Sequence, residues 1–137
     1  MSLEYPNYLL RGKTLPGLSY TDLNGNVYNQ QSLKNKILVL KCWFIGCKPC
    51  VEEMPELNKL VAKYKDRKDI VFVSFLKQKQ FDYAVVADQQ DYVMNSLRIK
   101  AAPTHIIVNR EGLVTKVVNS AEILIPLVDQ IALSHSL

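Results

Sequence analysis

The chain has 137 residues, of which 48% are hydrophobic, and its 17 basic and 13 acidic side chains give a net charge of +4. This length fits a single domain, 1–137, and no basic block with interleaved aromatic residues predicts a nucleic-acid partner. Three cysteines are too few for a disulfide-rich secreted scaffold, and no run approaches the roughly 20 apolar residues of a membrane span.

The first third of the chain predicts a lead-in, a hairpin and a buried strand. We expect residues 1–14 to be extended, with a Met-Ser-Leu start that could be an expression leader in place of a signal or lipid-anchor segment. The apolar runs 18–21 and 27–28 flank Asn24-Gly25, a dipeptide that favours hairpin turns. Residues 37–43 are nearly all apolar and rich in branched side chains, which predicts a strand at the centre of a sheet.

Cys47-Lys48-Pro49-Cys50 follows this strand and precedes a helical pattern. Apolar residues recur at helical spacing from 48 to about 66, and Pro55 should kink that helix. Two thiols at this spacing can close a disulfide across one turn. A helix that begins at Cys47 would favour its thiolate through free backbone N–H groups and the helix dipole. The motif therefore indicates a redox switch.

The second half of the chain predicts four strands and two helices. We expect strands at 70–76, 83–87, 104–109 and 113–118, and helices at 88–97, capped by Asp88, and at 121–134. The six residues 77–82 are too few for a crossover helix, which leaves the sheet order around Tyr83 open. The pattern predicts an α/β fold in which helices flank a mixed central sheet on both sides, with an N-terminal hairpin.

These residues resemble the thioredoxin superfamily, especially its extracytoplasmic TlpA/ResA-like thiol–disulfide oxidoreductases. The likeness runs from about residue 15 to the C-terminus and is carried by Trp43, the 47–50 motif, Glu53-Met54-Pro55, Ala102-Pro103-Thr104 and 109–112. It implies a thioredoxin fold. It also implies that Cys47 attacks a substrate disulfide, that Cys50 resolves the mixed disulfide, and that Pro103 is a cis-proline facing the thiols.

The remaining expected site residues surround this pair. A cis bond before Pro103 would leave the backbone of Ala102 free to pair with an extended substrate segment, with Thr104 next to it. Trp43 would lie beside the thiols, and Pro49 separates the two cysteines. Without the resemblance, a trans proline at a strand edge would be the preferred interpretation of Pro103.

Lys41 departs from the pattern of the superfamily. Six residues before the first cysteine, thioredoxins carry a buried carboxylate, whereas this chain has a lysine. An ammonium directed at the thiols would favour thiolate and make the pair more oxidising. Alternatively, the stem packs in the sheet and the amine reaches solvent or Glu53. Cys42 should face away from Lys41 and pack in the core.

Three other functions compete with disulfide exchange. A zinc or copper site would use the two cysteines and His105, although a packed or hydrogen-bonded histidine fits that strand position better. A thiol peroxidase would need a Pro and a Thr or Ser just before the reactive cysteine, and residues 43–46 lack them. A purely structural disulfide would gain little stability from so short a loop. We expect no metal and no cofactor other than the redox-active Cys47–Cys50 disulfide.

The expected partners are protein thiols and disulfides. We expect a monomer that reduces protein substrates and receives electrons from an upstream thiol protein. The resemblance implies a bacterial, extracytoplasmic location, periplasmic or membrane-anchored through a tether outside this chain, and the sequence alone leaves a cytoplasmic location open.

Overall fold

A computed structural model describes residues 10–43, 46–75, 81–87, 89–99 and 102–134. Its strands are β1 Ser19–Thr21, β2 Val27–Asn29, β3 Ile37–Cys42, β4 Ile70–Ser74, β5 Ala84–Val85, β6 Thr104–Val108 and β7 Val114–Val118. Its helices are α1 Lys48–Glu52, α2 Met54–Lys63 and α3 Ala121–Ser134, with a π-helix at Tyr92–Ser96. Residues 1–9 of the expected lead-in lie outside the described residues.

The strand β3 lies at the centre of a five-stranded mixed sheet of order β5-β4-β3-β6-β7. It is parallel to β4 and antiparallel to β6, and all six of its residues are buried. The apolar even-numbered residues of β3 belong to one hydrophobic core, and Ile37 and Val39 belong to the other. A nearly continuous apolar run is therefore what a strand covered on both faces requires.

Each face of the sheet carries its own covering layer. On one face, α2 and α3 pack over the sheet through residues such as Leu57 and Leu124, both fully buried. On the other face lie the β1–β2 hairpin and the π-helix, where the rings of Tyr20 and Tyr92 make edge contacts with Phe75 at 4.9 and 5.5 Å. The predicted thioredoxin fold, with a mixed sheet, flanking helices and an N-terminal hairpin, is confirmed.

The helix predicted at 48–66 is in fact two helices that meet at Glu53. Pro55 has no N–H to donate to the carbonyl of Val51, and its ring crowds that carbonyl. The N–H of Glu53 donates to the carbonyl of Pro49 at 3.2 Å, and this bond ends α1. The second helix ends at Lys63, three residues earlier than expected. The predicted kink is therefore a break, and it brings the side chain of Glu53 to the junction between the helices.

Two further expectations need correction. The segment predicted as a helix at 88–97 forms a π-helix over Tyr92–Ser96, and Asp88, its expected cap, lies outside the described residues. The strand expected at 83–87 is only the two-residue β5, which pairs parallel with the end of β4. Beside it, the N–H of Asp82 donates to the side chain of Asn58 on α2 at 2.9 Å. This bond ties the start of the edge strand to the helical layer, where the sequence left the order open.

Candidate active site

The two cysteines of the motif form a disulfide at the start of α1, with their Cα atoms 5.3 Å apart. Cys47 is the N-cap, and its sulfur accepts the backbone N–H of Cys50 at 3.2 Å. Pro49 lies in the first helical turn, where a missing N–H leaves no helical bond unmade. Cys47 is only partly buried, whereas Cys50 is fully buried. A substrate can therefore reach the sulfur of Cys47 more readily than that of Cys50.

Trp43 is buried in the same core cluster as Cys50. Its indole N–H donates to the hydroxyl of Ser74 at 2.8 Å, and its carbonyl accepts the side-chain amide of Gln90 at 3.1 Å. Its ring also makes an edge contact with the ring of Phe81, with the two ring centroids 5.9 Å apart. These bonds hold the end of β3 in place where the chain leaves the sheet toward the cysteines.

The Ala102–Pro103 peptide bond is cis, as the resemblance implies. Ala102 packs against the core cluster that contains Cys50. The side-chain amide of Asn119 donates to the carbonyl of Pro103 at 3.3 Å and to the hydroxyl of Thr104 at 3.2 Å. The loop before β6 is therefore fixed from behind by Asn119, a residue that the sequence did not single out.

Lys41 extends from β3 to the far end of α1. Its side chain is fully buried, and its Nζ donates to the carbonyl of Cys50 at 2.7 Å and lies 3.2 Å from Oε1 of Glu53. The same ammonium lies 4.6 Å from the ring centroid of Trp43 and 5.0 Å from that of Phe81. The sequence left two orientations open for Lys41, and the structure shows the one in which the amine reaches Glu53. The same amine also donates to the backbone carbonyl of Cys50.

Glu53 collects three donors at the break between α1 and α2. Besides Lys41, Nε2 of His105 lies 2.6 Å from Oε1, and the N–H of Ala121, the first residue of α3, donates to Oε2 at 3.0 Å. Lys41 and His105 are directly paired across β3 and β6, which places both on the same side of the sheet. The sequence offered Glu53 as a possible partner of Lys41 and favoured a packed or hydrogen-bonded His105 over a metal ligand. It did not indicate that Glu53 and His105 meet, because strand register was not readable from it.

Burial and contacts displace the pKa values of this cluster. Burial lowers the pKa of His105, and the hydrogen bond to Glu53 does not fully compensate. Burial also lowers the pKa of Lys41, with Glu53 opposing the shift. Burial alone would raise the pKa of Glu53, but the bond from His105 and the charge of Lys41 reverse this and leave the pKa below its usual value. At neutral pH the carboxyl of Glu53 is therefore ionised and the imidazole of His105 is neutral, and the contact with Glu53 favours the ammonium form of Lys41.

Cys42 is fully buried on the opposite face of β3, in the core cluster that contains Tyr20. Burial raises the pKa of its thiol well above the ordinary range, so it stays protonated. It packs as a small apolar side chain, in agreement with the alternation of the strand.

The described residues also bear on metal binding and membrane insertion. Over the part of the chain that the structure describes, no group of three or more His, Cys, Asp and Glu side chains could hold a metal ion. The other histidine of the chain, His135, lies outside the described residues. Likewise, none of the described helices is both long and apolar enough to cross a bilayer.

Comparison with known proteins agrees with this geometry. Residues 10–129 match the model of the Redoxin family. Thiol-disulfide oxidoreductase ResA of Bacillus cereus is 30% identical over 116 residues, which cover 77% of this chain and 67% of that protein. The chain thus spans about two thirds of the length of this relative.

Solved structures give the same result. The thioredoxin domain of a thiol-disulfide oxidoreductase from Bacteroides vulgatus superposes with a TM-score of 0.71 at 26% identity, covering 88% of this chain and 96% of that domain. StoA from Bacillus subtilis, at 18% identity, has the same fold, with a TM-score of 0.61 over 80% of this chain and 94% of StoA. This chain belongs to the Redoxin family, as a ResA/TlpA-like thiol–disulfide oxidoreductase of the thioredoxin superfamily.

Proposed function

We propose that this enzyme reduces disulfides of protein substrates, with Cys47 as the attacking thiol and Cys50 as the resolving thiol. The observation that carries the proposal is the contrast between the two sulfurs. Cys47 caps the helix at a partly exposed position, and Cys50 lies fully buried behind it. The helix N-terminus stabilises a thiolate at Cys47, and the buried Cys50 is protected from reaction with anything except the adjacent sulfur.

In the reduced enzyme, the Cys47 thiolate attacks one sulfur of the substrate disulfide and releases the other as a thiolate. The Cys50 thiol then loses its proton and attacks the Cys47 sulfur of the mixed disulfide, which releases the second substrate thiolate. Two electrons pass from the enzyme dithiol to the substrate, and two protons end on the substrate thiols. The enzyme keeps the Cys47–Cys50 disulfide seen in the structure.

We assign substrate binding to the loop Ala102–Thr104. Ala102 packs against the core cluster that contains Cys50, and the side-chain amide of Asn119 donates to the carbonyl of Pro103 and to the hydroxyl of Thr104. An extended substrate segment could add to the backbone at Ala102, as strands add to the edge of a sheet. We also assign support of the cysteine loop to the buried Trp43 and to the exposed Pro49. The substrate class is a protein with an accessible disulfide.

We propose a cellular setting on the basis of the likeness to the relatives. The likeness to ResA supports a location outside the cytoplasm of a bacterium, with an upstream thiol protein that reduces Cys47–Cys50 after each turnover. A periplasmic or membrane-anchored form, with its tether outside the sequence given, fits this setting. We propose a monomer as the working unit.

Insulin reduction with dithiothreitol as electron donor tests the function. The wild type should accelerate precipitation of the insulin B chain, and Cys47→Ser should reduce the rate to that of dithiothreitol alone. Cys42→Ala is the matched control, because it removes a cysteine from the opposite face of β3 and should keep the wild-type rate. Equal rates for Cys47→Ser and wild type would overturn the proposal.

The direction of electron flow has its own test. Equilibration with glutathione or dithiothreitol gives the reduction potential of the pair. A reductant should lie near the value of about −270 mV known for thioredoxin, and a value near about −120 mV, typical of the oxidant DsbA, would show the opposite direction.

A further inference from the structure

One edge of the central sheet is only partly covered. The outer strand β5 pairs with Val73 and Ser74, the last two residues of β4. Among the described strands, the first three residues of β4, Ile70–Phe72, therefore have no neighbour on that side. An uncovered strand edge presents backbone N–H and C=O groups that can pair with another extended chain.

The backbone hydrogen bonds around β4 show which groups face this edge. The N–H of Phe75 donates to β3, whereas the carbonyl of Ser74 accepts the N–H of Val86 on the other side. Backbone groups alternate in direction along a strand, so Ile70 and Phe72 face the same way as Ser74. The carbonyl of Ile70 and the N–H of Phe72 thus point to the outer edge, without a strand partner among the described residues.

A groove of about 690 Å³, which we call the edge groove, lies beside these residues. Strand β2 lines it on one side, the last turn of α2 lines it on the other, and Ile70–Phe72 lie between them. Its volume is within the usual range of ligand sites, roughly 300–1,000 Å³. Its lining includes apolar surface from the 49% exposed Val27 and from the half-buried Val61, Tyr64 and Val71.

The edge groove is basic. Its lining includes Lys36, Lys65 and Lys68, which we call the basic rim, and none of these lysines forms an ion pair with a described residue. Arg67 also lines the groove, but an ion pair already holds it. Asp82 is the one acidic side chain in the described lining. The excess of positive charge favours a ligand that carries carboxylates.

The same lysines argue against a second copy of this chain as the occupant. Two copies that met edge to edge would bring their basic rims together, and proteins use edge lysines to prevent such pairing. An acidic segment meets no such repulsion. The apolar lining suits β-branched side chains, which also favour the extended conformation that an added strand needs.

We propose that the edge groove binds an extended, acidic segment of a partner protein as an added strand of the sheet. The segment donates an N–H to the carbonyl of Ile70 and accepts the N–H of Phe72, and its carboxylates contact the basic rim. The groove lies at the start of β4, which is parallel to β3, so it is at the end of the sheet away from the disulfide. A docked partner therefore leaves Cys47 accessible.

Binding of a short fluorescent peptide in which glutamate and valine alternate tests the proposal on the oxidised protein. Fluorescence anisotropy should give a dissociation constant below about 1 mM that rises with NaCl concentration. A peptide with N-methylated valines keeps the charges but loses backbone donors, and it should bind about tenfold more weakly. A peptide with lysine in place of glutamate should not bind. Failure of the glutamate peptide to bind, or equal binding of its N-methylated form, overturns the proposal.

A pair of charge-reversed variants locates the binding. Lys65→Glu/Lys68→Glu reverses two charges of the basic rim and should weaken binding of the glutamate peptide about tenfold. Lys13→Glu/Lys116→Glu is the matched control, because it changes the net charge equally at two exposed lysines outside the groove and should bind as the wild type does. Equal weakening in both variants would indicate a non-specific basic surface, such as one for anionic lipid, and would overturn the proposal.

Amide hydrogen exchange tests strand addition in the wild type without any substitution. Saturating peptide should slow exchange of the N–H of Phe72 about tenfold or more and leave that of Val73, which faces β3, unchanged. Unchanged exchange at Phe72 in the peptide complex overturns the proposal. Protection of Phe72 that grows with the concentration of the protein alone would assign the edge to a second copy and would also overturn it.

The outcomes are independent of the proposed function. Peptide binding needs no thiol chemistry, so it can be observed in a protein that fails to reduce insulin. Conversely, a protein that reduces insulin through Cys47 but does not bind the glutamate peptide would refute the docking site alone.

Discussion

Two charged clusters lie at opposite ends of the central sheet, and they differ in burial. The inner cluster, formed by Lys41, Glu53 and His105, lies at the end of β3 that leads to the disulfide, and it is almost entirely buried. The outer cluster, formed by Asp69, Arg67 and Arg110, lies at the other end. Its carboxylate accepts from Arg67 at 2.9 Å and from Arg110 at 2.5 Å, and these side chains keep between 21% and 27% of their surface exposed.

The outer cluster connects segments of the chain. The carbonyl of Asp69 accepts the N–H of Ile37 at the start of β3, and Arg110 also donates to the carbonyl of Asn35 at 2.6 Å. Arg67, with help from Arg110, holds the pKa of Asp69 well below its usual range. Because water reaches these groups, their charges are screened and their role is to join the loop before β4 to the β6–β7 turn.

The inner cluster also connects segments of the chain, and it does so away from water. Glu53 joins three elements through Lys41 on β3, His105 on β6 and Ala121 on α3, much as Asp69 joins three segments at the other end. Enclosure makes these contacts stronger than those of the other cluster, because charges removed from water are screened little. The comparison shows that the two clusters differ in burial rather than in the number of segments that they join.

The largest expected effect comes from removing one charge of the inner cluster. Glu53→Gln leaves the fully buried ammonium of Lys41 without its counter-charge, and breaking a buried pair in this way costs about 3–5 kcal/mol. Urea unfolding of the oxidised protein at pH 7 should show this loss. The double variant Lys41→Met/Glu53→Gln should recover most of it, because no unpaired charge remains. A loss below about 1 kcal/mol for Glu53→Gln would contradict the importance of the pair.

The next effect is a pH dependence carried by His105. Because burial lowers the pKa of His105, the unfolded chain takes up a proton near its ordinary pKa of about 6.5 while the folded protein does not. The contribution of His105 to the free energy of unfolding is thus complete above about pH 6.5. It falls below that pH, with a slope that approaches about 1.4 kcal/mol per pH unit. Glu53, whose pKa is also lowered, adds a further loss at more acidic pH.

His105→Asn tests this dependence, because the asparagine amide can still donate to Glu53 but does not titrate. Urea unfolding at pH 7.5, 6.5 and 5.5 should show a decline in the wild type and a flatter profile in the variant. Parallel profiles would assign the decline to other groups.

The sequence was sufficient for most of the fold and for part of the site. Alternation along β3 correctly placed Cys42 opposite Lys41, and the helix pattern with Pro55 located the interruption near Glu53. These are local signals, since each depends on residues within one element. They are also the signals that place the two cysteines at a helix start.

The contacts of the inner cluster are not local. Lys41 and His105 pair across β3 and β6, 64 residues apart in sequence, and Ala121 reaches Glu53 from 68 residues away. Register between distant strands follows from the packing of the whole sheet, which no motif encodes. The segment at 88–97 shows the same limit, because its helical pattern did not distinguish the π-helix at Tyr92–Ser96.

A smaller effect is expected at the outer cluster. Asp69→Asn removes the shared partner of two arginines that remain hydrated, so its cost in unfolding free energy should be well below that of Glu53→Gln. Salt sharpens the difference. Between 0.1 and 1 M NaCl the cost of Asp69→Asn should shrink, whereas the cost of Glu53→Gln should change little, because salt screens only charges that water reaches. Equal salt dependence for both variants would remove the distinction between the clusters.

The smallest effect is expected for an ion pair with no enclosure at all. Lys59 and Glu56 are 3.1 Å apart on α2, with side chains that are 74% and 60% exposed. Lys59→Ala should leave the urea midpoint unchanged within error, because the pair gains little in water and alanine favours the helix. The variants Lys59→Ala, Asp69→Asn and Glu53→Gln then form a series in which the contact distances are similar and the burial of the ion pair increases. If Lys59→Ala cost as much as Asp69→Asn, hydration would not be the property that ranks these pairs.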